Sequence, residues 1–494
     1  MTIPQQQNDV AAFLQNLTGR APVETHISAV FVGPHDVYKL KKAVRLPFLD
    51  FSAVATRGAM TRREVALNRV AAPGIYRGVR AIVRGVDGAL ALAPEDAPDA
   101  VEYVVHMAPI PPGDFFDEIV ARGKLTSALL DGLGDCVVDL HAHLPCIEGW
   151  DSPGGLRGII EGNADAALHA GLPADAVAQW QRGVLGALDR IAPVLRARAA
   201  ACCVRRLHGD LHLGNICLWQ GVPTAFDMLE FDDALATGDV GYDLAFLLMD
   251  LEVRAGRAAA NRVLNRYIAR TGDVGVLAAL PCFVAIRAMV RAHVQMSRQQ
   301  SDDAARYLRA SLGALHGQMP VLVAIGGLQG TGKSTLARAL APTLGRAPGA
   351  VVLRSDETRK RLFNALPEEK LAPVCYGAGA NARVNTALLA DVATALQGGQ
   401  AVVADGTFLH EPLRRGIEAA ARSAGVPFVG LWLEADLDTL VQRVGARQGD
   451  ASDAGPDIVR VAAAVEPGRI TWHRLTSDDA AATLALAREK LPVG

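Results

Sequence analysis

Two groups of residues in this chain have the types and spacing needed to handle phosphate. The first is Gly327-Leu-Gln-Gly330-Thr331-Gly332-Lys333-Ser334-Thr335. Glycines at these positions let a loop wrap tightly, so that successive backbone N–H groups and a helix N-terminus face an anion. Lys333 would reach the β- and γ-phosphates, the Ser334 hydroxyl would bind Mg²⁺, and Thr331 and Thr335 would complete the phosphate cradle. The second group is His208-Gly-Asp210-Leu-His212-Leu-Gly-Asn215, with Asp227 following after an apolar run. An aspartate so placed can take or orient the proton of an attacking hydroxyl, while an asparagine five residues on and a later aspartate supply hard oxygen ligands for Mg²⁺. Both groups imply phosphoryl transfer from ATP, by unrelated designs.

Each group has upstream or downstream companions. Lys39 falls in a strand-like segment and Glu64 in the helical segment after it, the pairing that orients the α- and β-phosphates. Lys41 points to the same strand face and competes with Lys39, which is the favoured choice. Met107 ends a strand and would lie near the adenine. Beyond the glycine-rich loop, Val351-Val-Leu-Arg-Ser-Asp356-Glu-Thr-Arg359 ends a strand with an acid and a nearby arginine. Asp356 could orient an acceptor hydroxyl and Arg359 could hold substrate or phosphate; the alternative is a helix N-cap with a solvated basic face. Asp405 ends a further apolar strand and would hold a Mg²⁺-bound water. Arg443 and Arg447 lie at i and i+4, on one helical face. They read as a lid over the transferring phosphate, with Gly449–Asp453 as its flexible loop, or as a surface salt-bridged helix. Glu230, Asp232 and Asp233 read as an acidic edge, either a solvated face or helix cap or a site recognising a cationic substrate group. His141 and His143 sit in a helical pattern and read as core or surface residues.

Composition bounds what surrounds these groups. The chain has 494 residues, too many for a single core, and 50 Lys and Arg against 52 Asp and Glu give a net charge of -2. No bulk attraction to nucleic acid or membrane follows. Aromatic residues make up 5%, which weighs against a stacking groove for single strands. Seven cysteines show no C-x-x-C pair, and reduced thiols in a cytoplasmic protein are expected. The first residues lack the charged and apolar regions of a signal peptide. The apolar run 242–251 is interrupted by Asp243 and Asp250 and is far short of a membrane span.

Residues 27–32 and 37–44 read as strands joined by the turn Gly33-Pro34-His35-Asp36, and a helical pattern covers 62–70. Further strands are expected near 79–83, 90–93 and 101–107. Segments 114–200 and 256–315 have helical periodicity. From Val321 the rhythm becomes strand, loop, helix, strand, with apolar runs at 321–325, 351–354, 401–405 and 427–433 of the kind that parallel strands buried on both faces show.

His208-Gly-Asp-Leu-His-x-x-Asn, with Asp227 and Gly238-Asp239-x-x-x-Asp243, resembles the aminoglycoside phosphotransferase family over roughly residues 20–310. Glycine replaces the arginine of the protein-kinase loop, which points to small-molecule kinases. The resemblance implies Asp210 as base, Asn215 and Asp227 as metal ligands, a structural His208, and Asp239 and Asp243 as braces. No Gly-x-Gly-x-x-Gly loop is present, and residues 25–33 could form the phosphate cover instead. Residues 321–490 resemble P-loop kinases related to gluconate kinase and zeta toxin. The whole arrangement is similar to bacterial proteins described as bifunctional aminoglycoside phosphotransferase/ATP-binding proteins.

The expected fold class is therefore α/β with α+β, a bilobal protein-kinase-like domain fused to a doubly wound P-loop kinase domain. The first domain is expected over 1–315, with a small lobe to 107 and a helical lobe from 108, and the second over 320–494. The expected activity is ATP- and Mg²⁺-dependent phosphoryl transfer to a hydroxyl of a small polar metabolite, sugar or aminosugar-like, with no membrane or nucleic-acid partner. The competing readings are a nucleic-acid end kinase and a nucleotide-sensing regulatory protein.

Overall fold

The computed structural model describes residues 2–46, 49–446 and 450–492. By contacts the chain divides into two units. One comprises Met1–Gly132, Asp139–Trp150 and Cys202–Asp243; the other comprises Leu133–Val138, Asp151–Ala201 and Leu244–Gly494. By contacts, helices that precede the expected boundary between 315 and 320 group with the segment that follows it.

The first unit is built on a six-stranded antiparallel sheet. Its order is Val23–Glu24, Ser28–Val32, Val37–Lys41, Ala100–Met107, Tyr76–Arg84, Leu90–Ala93. Strand alternation gives the sheet two different faces. Ala29, Phe31, Tyr38, Leu40 and Val104 point to one and bury the apolar stripe of the Asn8–Thr18 helix through Val10 and Leu14. Val37, Lys39 and Lys41 point to the other. There Val105, Met107 and Val79 pack with Cys217 and Phe226 from the hairpin Ile216–Ala225 and the residues after it. The Val54–Ala71 helix lies on this second face, longer than the sequence pattern indicates. Its buried positions are mostly polar: Arg57, Thr61, Glu64 and Asn68. Arg57 forms a buried ion pair with Glu102 at 2.7 Å and donates to the carbonyl of Phe51.

A disulfide joins Cys146 and Cys202, whose Cα atoms are 5.6 Å apart. The expectation of uniformly reduced thiols is thereby corrected. An antiparallel bridge between Cys146 and Arg205 brings the two segments within bonding reach, which sequence spacing could not reveal.

The second unit contains a five-stranded parallel sheet in the order Val351–Arg354, Val402–Asp405, Leu322–Gly326, Phe428–Glu434, His473–Thr476. The three strands after Gly349 that the apolar runs mark, and the one before the glycine-rich loop, occur within a residue of their expected ends. The edge strand Val351–Arg354 is covered by the Arg257–Thr271 helix. Asn265 accepts from the Val352 N–H through Oδ1 at 2.7 Å, and Asn261 donates to the Ala350 carbonyl at 3.0 Å. Two side-chain amides thus continue the ladder of a strand that would otherwise offer an open edge. The helices Ser152–His169, Ala174–Ala200, Leu280–Ser297 and Ser301–Ala314 pack together in the same unit, with the buried Trp180 indole donating to the Ala285 carbonyl. Among the described residues no helix is long and apolar enough to cross a membrane.

Candidate active sites

The first site lies within the first unit. The Val37–Lys41 strand presents Lys39 and Lys41 on one face, and the Val54–Ala71 helix aims Glu64 between them. Lys39 Nζ is 2.8 Å from Glu64 Oε1 and 2.5 Å from Asp227 Oδ1. Lys41 Nζ is 2.6 Å from Glu64 Oε2 and forms a second ion pair with Glu230. Burial would raise the Glu64 carboxyl, but Lys39 and Lys41 outweigh it and hold it down to about 2. Burial would likewise lower the Lys39 ammonium, yet Asp227 and Glu64 keep it well above the ordinary lysine range. The two lysines differ in their surroundings. The Lys41 and Glu64 side chains are fully buried, whereas the Asp227 side chain beside Lys39 is 38% exposed.

Glu230 is buried, 4% exposed, and burial against the pull of Lys41 raises its carboxyl. The acidic-edge reading of this segment is corrected for Glu230, while Asp233 stays exposed and Asp232 serves as a cap. Glu230 is an internal counterion, Asp233 pairs with Arg63 and Arg206, and Asp232 caps a turn by accepting from the N–H groups of Ala234 and Leu235.

The catalytic loop is fixed by its own backbone bonds. Asp243 accepts from the N–H groups of His208 and Gly209 at 2.7 and 3.0 Å, and Asp239 accepts from Gly241 at 2.8 Å. His208 accepts the Asp210 N–H at Nδ1, so its proton sits on Nε2, which donates to the Phe226 carbonyl at 2.9 Å. Burial lowers the His208 pKa, in keeping with a neutral ring. His212 similarly accepts from Gly214 at Nδ1, which leaves its proton on Nε2, the nitrogen 3.5 Å from Asp210 Oδ2. Asn215 donates through Nδ2 to the carbonyl and the carboxylate of Asp210, at 2.9 and 3.0 Å. Its amide oxygen is then the atom left for a cation, and together with the Asp227 carboxylate it gives the hard oxygen donors that Mg²⁺ prefers. Asp227 adopts a left-handed conformation, φ 64°, unusual for a residue other than glycine. Its backbone is held there by two partners that sequence reasoning missed. The Tyr76 hydroxyl takes the Asp227 N–H at 3.1 Å, and Asn68 takes the Met228 N–H at 2.9 Å. Met107 is buried in the apolar cluster with Val37, Val105 and Phe226.

The second site lies within the second unit and opens a cavity of about 840 Å³. It is lined by Gly330–Leu336, the strand ends at Arg354–Asp356 and Asp405–Thr407, and Arg443. The Leu322–Gly326 strand delivers the loop and the Lys333–Leu340 helix leaves it. Gly327 has φ 130°, and a Cβ there would lie 2.4 Å from the Leu433 carbonyl oxygen, so only glycine permits the turn. Gly327 itself does not line the cavity, and its N–H donates to the Thr407 carbonyl. Lys333 Nζ donates to the Leu328 carbonyl at 2.8 Å, as does the Thr331 hydroxyl, which folds the lysine over the loop. Ser334 Oγ is 2.6 Å from Asp405 Oδ2, bringing together a hydroxyl and a carboxylate that fit a Mg²⁺ ion shared with nucleotide phosphates.

Arg354 is the residue here that the motifs did not single out. Its buried guanidinium contacts Asp405 at 3.1 Å, Glu357 at 3.0 Å and Asp450 at 2.8 Å. The signal was an arginine closing the apolar run Val351-Val-Leu, where a buried strand position demands carboxylate partners. Asp356 lines the cavity, and burial raises its carboxyl against the pull of Arg354. Arg359 is a correction: it does not line the cavity. Its guanidinium is buried over the Tyr376 ring, donating to the Cys375 carbonyl and Asn381 Oδ1, both at 2.7 Å. Arg443 does line it, anchored to the carbonyls of Ser477 and Asp478 at 2.9 and 3.2 Å. Arg447, with Gln448 and Gly449, lies outside the described residues. The loop beyond is tied down, since Asp453 accepts from Lys360 at 2.7 Å and from the Tyr376 hydroxyl at 2.5 Å.

Residues 322–464 match the family described as AAA domain. An uncharacterized protein of Mycobacterium tuberculosis strain H37Rv is 28% identical over 471 residues, covering 92% of this chain and 91% of its own. The same figures hold for an uncharacterized protein of Mycobacterium bovis. Among solved structures, a gluconokinase from Sinorhizobium meliloti is 16% identical and covers 35% of this chain and 95% of its own, with a TM-score of 0.25. A thermostable mutant of an aminoglycoside phosphotransferase is 16% identical and covers 62% and 98%, with a TM-score of 0.37. A choline kinase from Cryptosporidium parvum is 12% identical and covers 59% and 87%, with a TM-score of 0.38. The second unit thus carries the glycine-rich loop at the end of a parallel strand, and the first holds Asp210 with Asn215 and Asp227 with the Lys39–Glu64 pair.

Proposed function

We propose that this chain is a tandem ATP- and Mg²⁺-dependent kinase, each unit transferring the γ-phosphate to a hydroxyl of a small polar metabolite, sugar or aminosugar-like. One observation carries the reading: each unit holds its own full set of groups for the reaction. In the first unit these are Lys39, Glu64, Asp210, Asn215 and Asp227; in the second, Lys333, Ser334, Asp356 and Asp405. Asn215 with Asp227, and Ser334 with Asp405, would hold the Mg²⁺, which supplies charge neutralisation on the phosphates. In the first site the acceptor oxygen attacks the γ-phosphorus, the bond to the β-phosphate oxygen breaks, and Asp210 receives the hydroxyl proton. The His212 Nε2 proton and the Asn215 amide keep that carboxylate oriented. Lys39 steadies the leaving phosphates and Glu64 holds the ammonium in place. In the second site Lys333 and Arg443 serve the phosphates, and Asp356, whose carboxyl burial raises, orients the acceptor. A cytoplasmic location accompanies this reading, because both sites draw on ATP.

Asp210→Asn, Lys333→Ala and the double variant test it, with metabolite extracts and labelled ATP supplying the acceptors. Each single change is expected to abolish one transfer activity and leave most of the other, and Asp210→Asn to slow its own site by at least about 100-fold with nucleotide affinity little changed. Loss of both activities in a folded single variant would show one coupled machine instead, with the P-loop unit acting as a regulator.

A further inference from the structure

A charged cavity lies outside the nucleotide sites. On the side of the Val54–Ala71 helix away from Glu64, the helix and the Tyr76–Arg84 strand enclose a space of about 550 Å³ in the first unit. Arg62 and Arg69 line it from the helix, and Arg77 and Arg80 from the strand, with His106 and a single carboxylate, Glu95. Arg62 and Arg69 are two helical turns apart and share a face. Residues 77 and 80 of a regular strand would point to opposite faces. A register shift between Tyr76 and Gly78 inserts one extra residue at Arg77; beyond it Arg80 pairs with Val104 and lies on the face away from the helix, so the two strand arginines line the space around the strand's edge while Arg62 and Arg69 line it from the helix.

The charges in this cavity are oriented more than they are neutralised. Arg62 donates to the Glu95 carbonyl at 3.0 Å and stacks over the Tyr103 ring at 4.7 Å. Arg69 donates to the carbonyls of Tyr76, at 3.1 Å, and Arg77. Those acceptors are neutral. Arg80 has no hydrogen bond or ion pair among the described residues. Arg77 alone has a carboxylate, Asp36, at 2.5 Å, and His106 shares it at 2.6 Å. Three guanidiniums therefore face one exposed glutamate, and their mutual repulsion is relieved by an incoming anion.

We propose that this cavity is an effector site for a small metabolite carrying two phosphoryl groups. Guanidinium forks suit phosphoryl oxygens, and the volume is that of a small-ligand site. One phosphoryl group would meet the helix pair and the other the strand pair. The same helix carries Glu64 on its inner face, and the same strand begins with Tyr76, whose hydroxyl holds the Asp227 N–H. A ligand bridging the two elements therefore steadies both supports of the first nucleotide site. The binding claim stands on the cavity itself; the effect on nucleotide affinity rests on the kinase reading of that site.

The experiment uses the full chain with Mg²⁺ and a saturating non-hydrolysable ATP analogue, so that both nucleotide sites are filled, and titrates fructose 1,6-bisphosphate by calorimetry. The expected result is one saturable site in the millimolar range or tighter, weakened at least about tenfold by Arg80→Glu and strengthened at low salt. Arg80 has no partner to lose, so this variant should melt with the wild type, and Arg69→Ala is the second probe. Absence of saturable binding in the millimolar range, or equal affinity in Arg80→Glu, overturns the proposal. Saturable binding that leaves analogue affinity at the first site unchanged overturns the effector role and leaves the kinase reading untouched.

Discussion

Asn265 is the most exacting test of how the second unit is held together. Its Oδ1 accepts from the Val352 N–H at 2.7 Å and its Nδ2 reaches the Ala350 carbonyl at 3.3 Å. Val352 is 5% exposed, so water cannot take over that donor. Asn265→Ala orphans the Val352 N–H outright, whereas the Ala350 carbonyl keeps its bond from Asn261. One buried unsatisfied donor costs about 1–3 kcal/mol, and the Asn261 bond spares most of a second loss, so about 2 kcal/mol is expected. For a unit of this size that corresponds to a melting temperature lower by roughly 3 °C. Asn265→Asp keeps the acceptor and loses only the donor, and it should fall between the two. Hydrogen exchange provides a local readout. The Val352 amide should lose protection in the alanine variant and keep most of it in the aspartate variant. Excess nucleotide should raise the stability of wild type and variant alike through binding to the folded unit, by about 2.7 kcal/mol at a hundredfold excess over Kd, and leave the gap between them. An alanine variant that melts with the wild type, with Val352 still protected, would refute the reasoning. The Arg257–Thr271 helix would then merely lie near the strand, and a chain starting at residue 320 should fold as well as the intact one.

The two lysines of the first site should separate by assay. Lys39→Met should mainly weaken nucleotide use, measured by analogue binding. Lys41→Met leaves Glu64 and Glu230 buried without their shared cation and should lower stability by about 3–5 kcal/mol, seen in denaturant unfolding. Burial pushes the His293 pKa down from 6.5 to about 4, so its neutral form is favoured in the folded state. The unfolded chain binds the extra proton between these values; stability is therefore full above pH 6.5 and falls as pH drops toward 4, by up to about 3 kcal/mol. In His293→Gln the slope of unfolding free energy across this window should flatten.

Much of the second unit was legible because its strands are buried on both faces and read as unbroken apolar runs. Its last strand, His473–Thr476, was not: only Leu475 is buried there, and an exposed polar edge leaves no pattern. The Val54–Ala71 helix was read short for a related reason. Its inward face is Arg57, Thr61, Glu64 and Asn68, and their partners Glu102 and the Met228 N–H come from distant segments. A helix buried by polar pairing has no apolar stripe to detect. Motif spacing located Asp210, Asn215, Asp227, Lys333 and Asp405, because their chemistry fixes residue type and spacing together. Arg354, Tyr76 and Asn68 act by supporting those groups, and many residue types could do so.

The choice between Lys39 and Lys41 shows where sequence reasoning stops and geometry takes over. Both lysines lie on one face of one strand, and both pair with Glu64, so neither periodicity nor the shared carboxylate separates them. The second carboxylate of each does. Lys41 is enclosed with Glu230, and drawing it toward a phosphate would leave Glu230 buried without a cation and Glu64 with Lys39 alone. Lys39 has Asp227, which is partly exposed and is itself a candidate cation ligand. Lys39 can therefore exchange a carboxylate for a phosphate at little electrostatic cost, while Lys41 keeps Glu64 charged and the helix seated. Under the proposed kinase reading Lys39 serves the reaction and Lys41 the scaffold, a division of labour set by Glu230, a residue whose sequence context read as a solvated edge.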